Sequence, residues 1–290
     1  MRIRLLGIAG MLLCGYGAAS AEGYQNAVAA LYENNDEESF ESNVYKIAYA
    51  HYFEILNTDI GPLAYAAFVN RPTAVMLSLK KQNSEYEFLD IKANGREYSI
   101  ASYYIRGDYG VFADALVFNE DIHILPTLTW NNKVKKYSIG AIYYPEKYTE
   151  IKISHVIGDI AASTIFIGDG ADISGTSFEV RKLVFMDDYK YLAASIGYNI
   201  FNTDYSFFKV QEKFLNIDLD YFFNRYTDVS IGYAIKNSDN SDYSDDAYGY
   251  RISYRRFIAD STSITIGYIK DNRKEMDDKT SYELGISKRF

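Results

Sequence analysis

The chain has 290 residues, 48% hydrophobic and 24% charged, with 29 Tyr, 17 Phe, one Cys and a net charge of −9. A mean hydropathy of −0.22, with no apolar run of about 18 residues or more beyond the first 20, excludes a protein that crosses membranes by several helices. The apolar and aromatic content equally excludes a disordered chain.

Residues 1–21 have the three parts of a secretory signal: Arg2 and Arg4 in a basic start, an apolar stretch from Leu5 to Leu13, and Ala19-Ser20-Ala21 as a small-x-small cleavage site. Cys14 does not read as a lipidation site, because Leu13 before it is not small. Cleavage near Ala21 removes two arginines and no acid, so the net charge moves from −9 to −11 and residues 22–290 hold no cysteine. An exported, acidic chain without disulfides is a poor nucleic-acid binder and must draw its stability from a large fold.

From Tyr24 to Phe290 the hydrophobic pattern has period two and recurs in segments of about ten residues separated by polar breaks. Leu215, Ile217, Leu219 and Tyr221 alternate with Asn216, Asp218, Asp220 and Phe222. Val229, Ile231, Tyr233 and Ile235 do the same against Asp228, Ser230, Gly232 and Lys236. Tyr248 to Tyr254 and Ile264 to Tyr268 repeat the pattern. Aromatics gather at segment ends, with Tyr143-Tyr144, Tyr221-Phe222-Phe223, Tyr226, Phe257 and Phe290 toward one side and Trp130, Tyr198, Tyr233 and Tyr268 toward the other. Two such girdles a bilayer apart mark a membrane-spanning barrel rather than a soluble sandwich.

The breaks are asymmetric. Pro145-Glu146-Lys147, Asn224-Arg225-Tyr226 and Ile258-Ala259-Asp260 are short, whereas Asn34 to Glu41, Gly158 to Gly175, Asn237 to Asp246 and Asp271 to Thr280 are longer and acidic or Gly-rich. The pattern predicts an all-β, transmembrane, antiparallel up-and-down β-barrel of about 14 strands over residues 22–290, beginning near residues 24, 42, 73, 97, 121, 136, 148, 175, 190, 213, 227, 247, 261 and 281. Other divisions give about 12 or 16 strands. Between Tyr86 and Glu120, Asn94-Gly95 reads as a hairpin turn and Val111 to Phe118 as a strand or an excursion. The chain ends on Tyr282, Leu284, Ile286 and Phe290 at alternate positions, with Lys288 breaking the apolar run. Such an ending resembles the signal read by the outer-membrane barrel insertion machinery.

Residues Gly61-Pro62-Leu63-Ala64-Tyr65-Ala66-Ala67-Phe68-Val69-Asn70-Arg71 resemble a motif of the general bacterial porins of Gram-negative bacteria. The mature start Tyr24-Gln25-Asn26 and the Tyr-x-x-Gly-x-x-Tyr-Tyr run from Tyr137 to Tyr144 agree with that layout. Tyr65 stands where the family pattern has an acid. The resemblance implies a barrel in the outer membrane, among lipid and lipopolysaccharide, that passes small hydrophilic solutes; a homo-oligomer is compatible with it. Read from the residues, the block is either a short turn or helix that starts at Pro62 and packs Leu63, Ala66, Ala67 and Phe68 under the barrel floor, or an ordinary connection.

Catalysis is not expected. Of the three histidines, His51, His123 and His155, the last follows Ser154, so those two point to opposite faces of a strand, and His51 lies between Ala50 and Tyr52 with no nucleophile of matching parity nearby. Gly168-Asp169-Gly170 and Gly175 lack the Lys-Ser/Thr of a phosphate loop, and the four aspartates between Asp239 and Asp246 lack EF-hand spacing, so neither cofactor nor metal is expected. Parity places Asp218, Asp220, Asp228, Lys236, Arg251, Arg255, Glu283 and Arg289 on the lumen face, where acids on one wall oppose bases on another across the pore or pair with them. Fourteen tilted strands enclose a backbone diameter of about 28 Å, which leaves a water-wide lumen unless a loop folds in. The balanced wall and the acidic loops together predict mild cation selectivity set at the mouth. A closed barrel acting as an adhesin or scaffold through its acidic loops, and a barrel-embedded lipid hydrolase, are the alternatives.

Overall fold

The computed structural model describes residues 23–37, 40–59, 61–86, 91–124, 128–162, 170–187, 190–205, 208–239, 246–273 and 278–290. The secretory signal, Gly168-Asp169, and Asp242 and Asp245 of the acidic run lie outside them. Fourteen strands follow in order: β1 (Tyr24–Glu37), β2 (Phe40–Leu56), β3 (Ala74–Tyr86), β4 (Ile91–Arg106), β5 (Tyr109–Ile124), β6 (Leu128–Glu146), β7 (Thr149–Ala162), β8 (Ala171–Asp187), β9 (Lys190–Tyr205), β10 (Lys209–Asn224), β11 (Thr227–Asp239), β12 (Ala247–Ala259), β13 (Thr262–Arg273) and β14 (Lys279–Arg289). Each pairs antiparallel with its neighbours in sequence, and β1 pairs with β14 from Ala27↔Arg289 to Asp36↔Thr280, closing a transmembrane β-barrel. Phe290 completes the seam: its N–H donates to the Asn26 carbonyl at 2.9 Å, and its own carbonyl accepts from the Asn26 N–H at 2.8 Å.

Alternation sorts the side chains. Ile47, Leu77, Ile100, Ile139, Ile153 and Ile231 project outward and exposed, as do Tyr198, Tyr233 and Tyr282 nearer one rim and Tyr104, Tyr109, Tyr143 and Phe223 nearer the other. Inward parity carries small and charged residues instead. Tyr144, Phe222 and Phe257, read from sequence as members of a girdle, take this inward parity and are buried. They flank Tyr143 and Phe223, which do face out, and a one-residue step along a strand changes the face.

Four boundaries differ from the sequence reading, the first being that Gly158 and Gly175, expected at the ends of one long loop, lie inside β7 and β8, with Gly158 opposite Ile173 and Gly175 opposite Val156. Most of Asn34 to Glu41 is strand rather than a long loop, since β1 and β2 stay paired to Glu37↔Phe40. Asn94-Gly95 is no turn but the interior of β4, with Asn94 opposite Asn83 on one side and Asp121 on the other. Glycine is needed at position 95 for space: a Cβ there would lie 2.8 Å from the Phe118 ring, which folds across it. The strands expected to begin near residues 121 and 136 are the end of β5 and the middle of β6, so Val111 to Phe118 is the centre of a spanning strand.

At the rim that holds both described chain ends, β4–β5, β6–β7, β10–β11 and β12–β13 are joined by two-residue turns. Among the described connections at this rim the β2–β3 one, over residues 57–59 and 61–73, is the long one. After Pro62 it forms a 3₁₀ turn (Leu63–Tyr65) and a short helix, α1 (Ala66–Asn70), which ends with Arg71 in the left-handed conformation at φ 52°. This segment folds into the barrel and meets both walls. Ala66 packs with Tyr24, Tyr52, Leu56 and Ala74 on its own side. Phe68 and Val69 pack with Leu183, Tyr191, Ala193 and Phe222 on the opposite side. These two clusters are the apolar cores that the connection makes with the strands. Phe222 is only 1% exposed, and Phe222→Ala should lower unfolding stability in detergent by about 3–5 kcal/mol, measured by urea titration.

Candidate functional site

The connection is held to the barrel by both backbone and side-chain bonds. The Leu63 N–H donates to the Arg225 carbonyl in the β10–β11 turn at 3.0 Å, and the Arg225 guanidinium donates to the Thr58 carbonyl. The Tyr65 hydroxyl donates to Asp220 on β10 at 2.5 Å. Arg71 reaches Asp108 in the β4–β5 turn at 3.1 Å, donates to the Glu146 carbonyl at 2.7 Å, and stacks 4.1 Å above the Tyr144 ring. The segment thus spans the barrel base with latches at both ends. Burial, then the charge and hydrogen bond of Asp220, push the Tyr65 phenol above its ordinary value near 10.

The eight charged residues that parity assigned to the interior occupy distinct settings. Arg251 pairs with Asp218 at 3.1 Å. The pair spans one intervening strand, because Asp218, Gly232 and Arg251 lie in one cross-strand row. A Cβ on Gly232 would sit 2.6 Å from the Asp218 carboxylate, so the bridge lies flat on the wall only over glycine. Arg255 holds Asp228 through two bonds of 3.0 and 2.9 Å, and Asp228 is 2% exposed. Lys236 pairs with Glu212 at 2.9 Å. Asp220 accepts from Tyr65. Glu283 stands directly opposite Glu33. Arg289 is enclosed between the Phe257 and Tyr24 rings, at 4.6 and 4.8 Å from their centres, and so serves the seam more than the lumen surface. At the C-terminal positions Tyr282, Leu284, Ile286 and Phe290, the first and last are well exposed.

Sequence reasoning missed two sets of interior residues. The first is a cluster on β7 and β8 beside α1: Lys152 with Glu150 at 2.9 Å, Arg181 with Glu179 at 2.8 Å, and Tyr144 donating to Glu150 at 2.7 Å. The Arg181 guanidinium lies 5.8 Å from the Phe68 ring and 6.0 Å from the Tyr65 ring, joining the wall to the connection. The second set is uncompensated. Lys46, Lys80 and Glu97 form one cross-strand row on β2, β3 and β4, and Asp114 and Lys136 follow on β5 and β6. Among the described residues none of these has an opposite charge within 4.0 Å. Correct boundaries for β4 to β6 would have exposed their shared parity.

The connection leaves separate spaces. A cavity of about 530 Å³ opens between β4 and β10 above it. One of about 410 Å³ lies between the connection and the β10–β14 wall, bordered by Tyr65, Asp220, Arg251, Arg255 and Glu283. A third of about 270 Å³ lies on the other side, against Tyr52, Tyr103, Tyr144 and Glu150. Phe68 and Arg181 border both of the lower two.

No protein-family model matches the sequence, and no curated protein matches it. Solved structures do. The outer membrane protein Omp33 of Acinetobacter baumannii is similar at 16% identity and a TM-score of 0.50, over 92% of this chain and 99% of that one. The CymD monoaromatic hydrocarbon channel matches at 8% identity and 0.54, over 93% and 89%. The COG4313 outer membrane channel of Pseudomonas putida F1 matches at 7% and 0.51, over 94% and 100%. At these identities the likeness is one of fold: a barrel architecture used by outer-membrane channels.

The latch geometry yields a pH prediction. Because folding raises the Tyr65 phenol above its ordinary value near 10, its contribution is present below pH 10 and is lost as the pH climbs beyond it. Tyr65→Phe leaves the Asp220 carboxylate short of a donor and should reduce stability at neutral pH by about 1–3 kcal/mol. It should also flatten the decline that the native protein shows above pH 10, as read by urea unfolding across pH.

Proposed function

We propose that this chain is an outer-membrane channel of a Gram-negative bacterium that lets small hydrophilic solutes and ions diffuse passively, with no catalytic turnover and no cofactor. In this reading the chain is exported by the signal ending near Ala21 and inserted by the machinery that reads Tyr282, Leu284, Ile286 and Phe290. It then sits among lipid and lipopolysaccharide. The observation that carries the proposal is the contrast between the two faces of one closed sheet. The outer face is Ile, Leu and Tyr, while the inner face holds Ser, Gly and charges around several hundred Å³ of open space. Charged groups at that depth are tolerable only where water or a partner meets them. A scaffold or adhesin would need neither the hollow nor the uncompensated charges on β2 to β6.

In planar bilayers the purified protein should give stepwise ohmic currents, and persistent silence over many insertions would favour the scaffold instead. The connection over residues 57–73 should limit the current. Replacing residues 63–70 by a short Gly-Ser linker should raise the single-channel conductance severalfold while the band remains heat-modifiable on gels.

Selectivity should be mild. Lys46, Lys80 and Lys136 nearly offset Glu33, Glu97, Asp114 and Glu283, and Arg251, Arg255 and Lys236 are already paired. The acidic run from Asp239 to Asp246 acts at the mouth, where physiological salt screens beyond about 8 Å. Reversal potentials under a KCl gradient should therefore show a cation preference that fades as salt rises. Neutralising those aspartates should abolish it, and strong anion selectivity would move the selective site to Arg251 and Arg255.

A further inference from the structure

The inward face from β6 to β9 is hollowed by its composition. Gly140, Ser154 and Ser177 form one cross-strand row, and Ser138, Val156 and Gly175 the next. The cavity of about 530 Å³ lies over them. Its bordering charges fall into two kinds. Lys152, Glu179 and Asp218 are held by Glu150, Arg181 and Arg251. Asp114 and Lys136 also line the cavity, yet among the described residues neither has an opposite charge within 4.0 Å.

Their separation is not forced by the backbone. Asp114 stands opposite Ser138 and Lys136 opposite Leu116, so the two are one diagonal step apart on adjacent strands. A lysine can span the roughly 7–8 Å of such a step. Instead the Lys136 ammonium leans the other way, 5.7 Å from the centre of the Phe201 ring on β9. On the Asp114 side, Phe112 and Tyr103 stack with centres 5.7 Å apart and planes at 17°. The cavity therefore offers a cation, an anion held apart from it, and a flat apolar surface.

We propose that this cavity is a binding station for a small zwitterion, an α-amino acid with an apolar or aromatic side chain, seated with its carboxylate on Lys136, its ammonium on Asp114 and its side chain against Tyr103 and Phe112. A simple anion satisfies Lys136 but meets Asp114 as a like charge, and an uncharged sugar can hydrogen-bond both groups but neutralises neither. The zwitterion answers both with charge-assisted bonds. As a step in transport this rests on the channel reading; as a binding site it does not.

The test uses phenylalanine, N-acetylphenylalanine and phenylalaninamide, which carry both charges, the carboxylate alone and the ammonium alone. Binding is read in two ways, as block of single-channel current and by titration calorimetry of the protein in detergent. Phenylalanine should bind about tenfold more tightly than either analogue, the worth of one charge-assisted contact. Asp114→Asn should bring phenylalanine level with N-acetylphenylalanine, and Lys136→Met should bring it level with phenylalaninamide. The analogue series on the unaltered protein stands even where a variant fails to fold. Equal binding of all three, or no heat with phenylalanine, overturns the station. Ohmic currents that phenylalanine does not block, together with no heat on its titration, overturn it while leaving the channel. Calorimetric binding with electrically silent bilayers supports the station and removes the channel.

Discussion

Closure of the sheet at β1–β14 is the constraint on which the rest depends. A peptide group facing hydrocarbon finds no water, so a strand can cross a bilayer only with both edges paired, and an open edge is excluded. The continuous register from Ala27↔Arg289 to Asp36↔Thr280, extended by the two Asn26–Phe290 bonds, removes that edge. Once the ring is closed, the period of two assigns every side chain to lipid or lumen. Phe222 and Phe223 are neighbours in sequence and yet lie 1% and 50% exposed on opposite faces.

A ring of this width cannot be filled by its own inward side chains, which is why the β2–β3 connection matters. It brings Leu63, Ala66, Phe68 and Val69 into the interior and supplies apolar contacts that the strands do not make with one another. Its polar ends cannot be left dry. Asp220, Asp108 and the carbonyls of Arg225 and Glu146 receive its donors, and the Arg225 guanidinium donates to its Thr58 carbonyl. The left-handed backbone at Arg71 costs something like 1 kcal/mol for a residue with a Cβ, and its cation has three partners at that position.

Much of this was legible from alternation. The barrel and its strand number followed from β9 to β14, where polar and apolar residues alternate cleanly and breaks are marked by Asn, Asp and Gly. The inward parity of Asp218, Arg251 and Glu283 came from the same signal. It failed from β4 to β6 because Asn94-Gly95 carries the strongest short hairpin signature, whereas Gly95 is there to admit the Phe118 ring. Misplacing that turn hid Glu97, Asp114 and Lys136. The partners of each charge were not legible at all, because a bridge such as Arg251–Asp218 depends on the residue between them lacking a side chain, and only the register reveals that Gly232 is that residue.

The same role of glycine decides where the lumen stays hollow. Over Gly232 the wall is sealed by an ion pair, and over Gly267 the Glu283 carboxylate lies 2.7 Å from where a Cβ would be. Gly249 lies likewise under Asp271, so three glycines on β11 to β13 are each covered by a cross-strand carboxylate. From β6 to β9, Gly140 and Gly175 are bordered by Phe112 and Phe201, whose rings lie against the backbone and bring no counter-charge. Among the described residues, Lys136 and Asp114 have no opposite charge within 4.0 Å beside that aromatic lining. Glycine therefore lies under a carboxylate at Gly232, Gly249 and Gly267 and under an aromatic ring at Gly140 and Gly175. The difference comes from whether its cross-strand neighbour is a carboxylate or a ring.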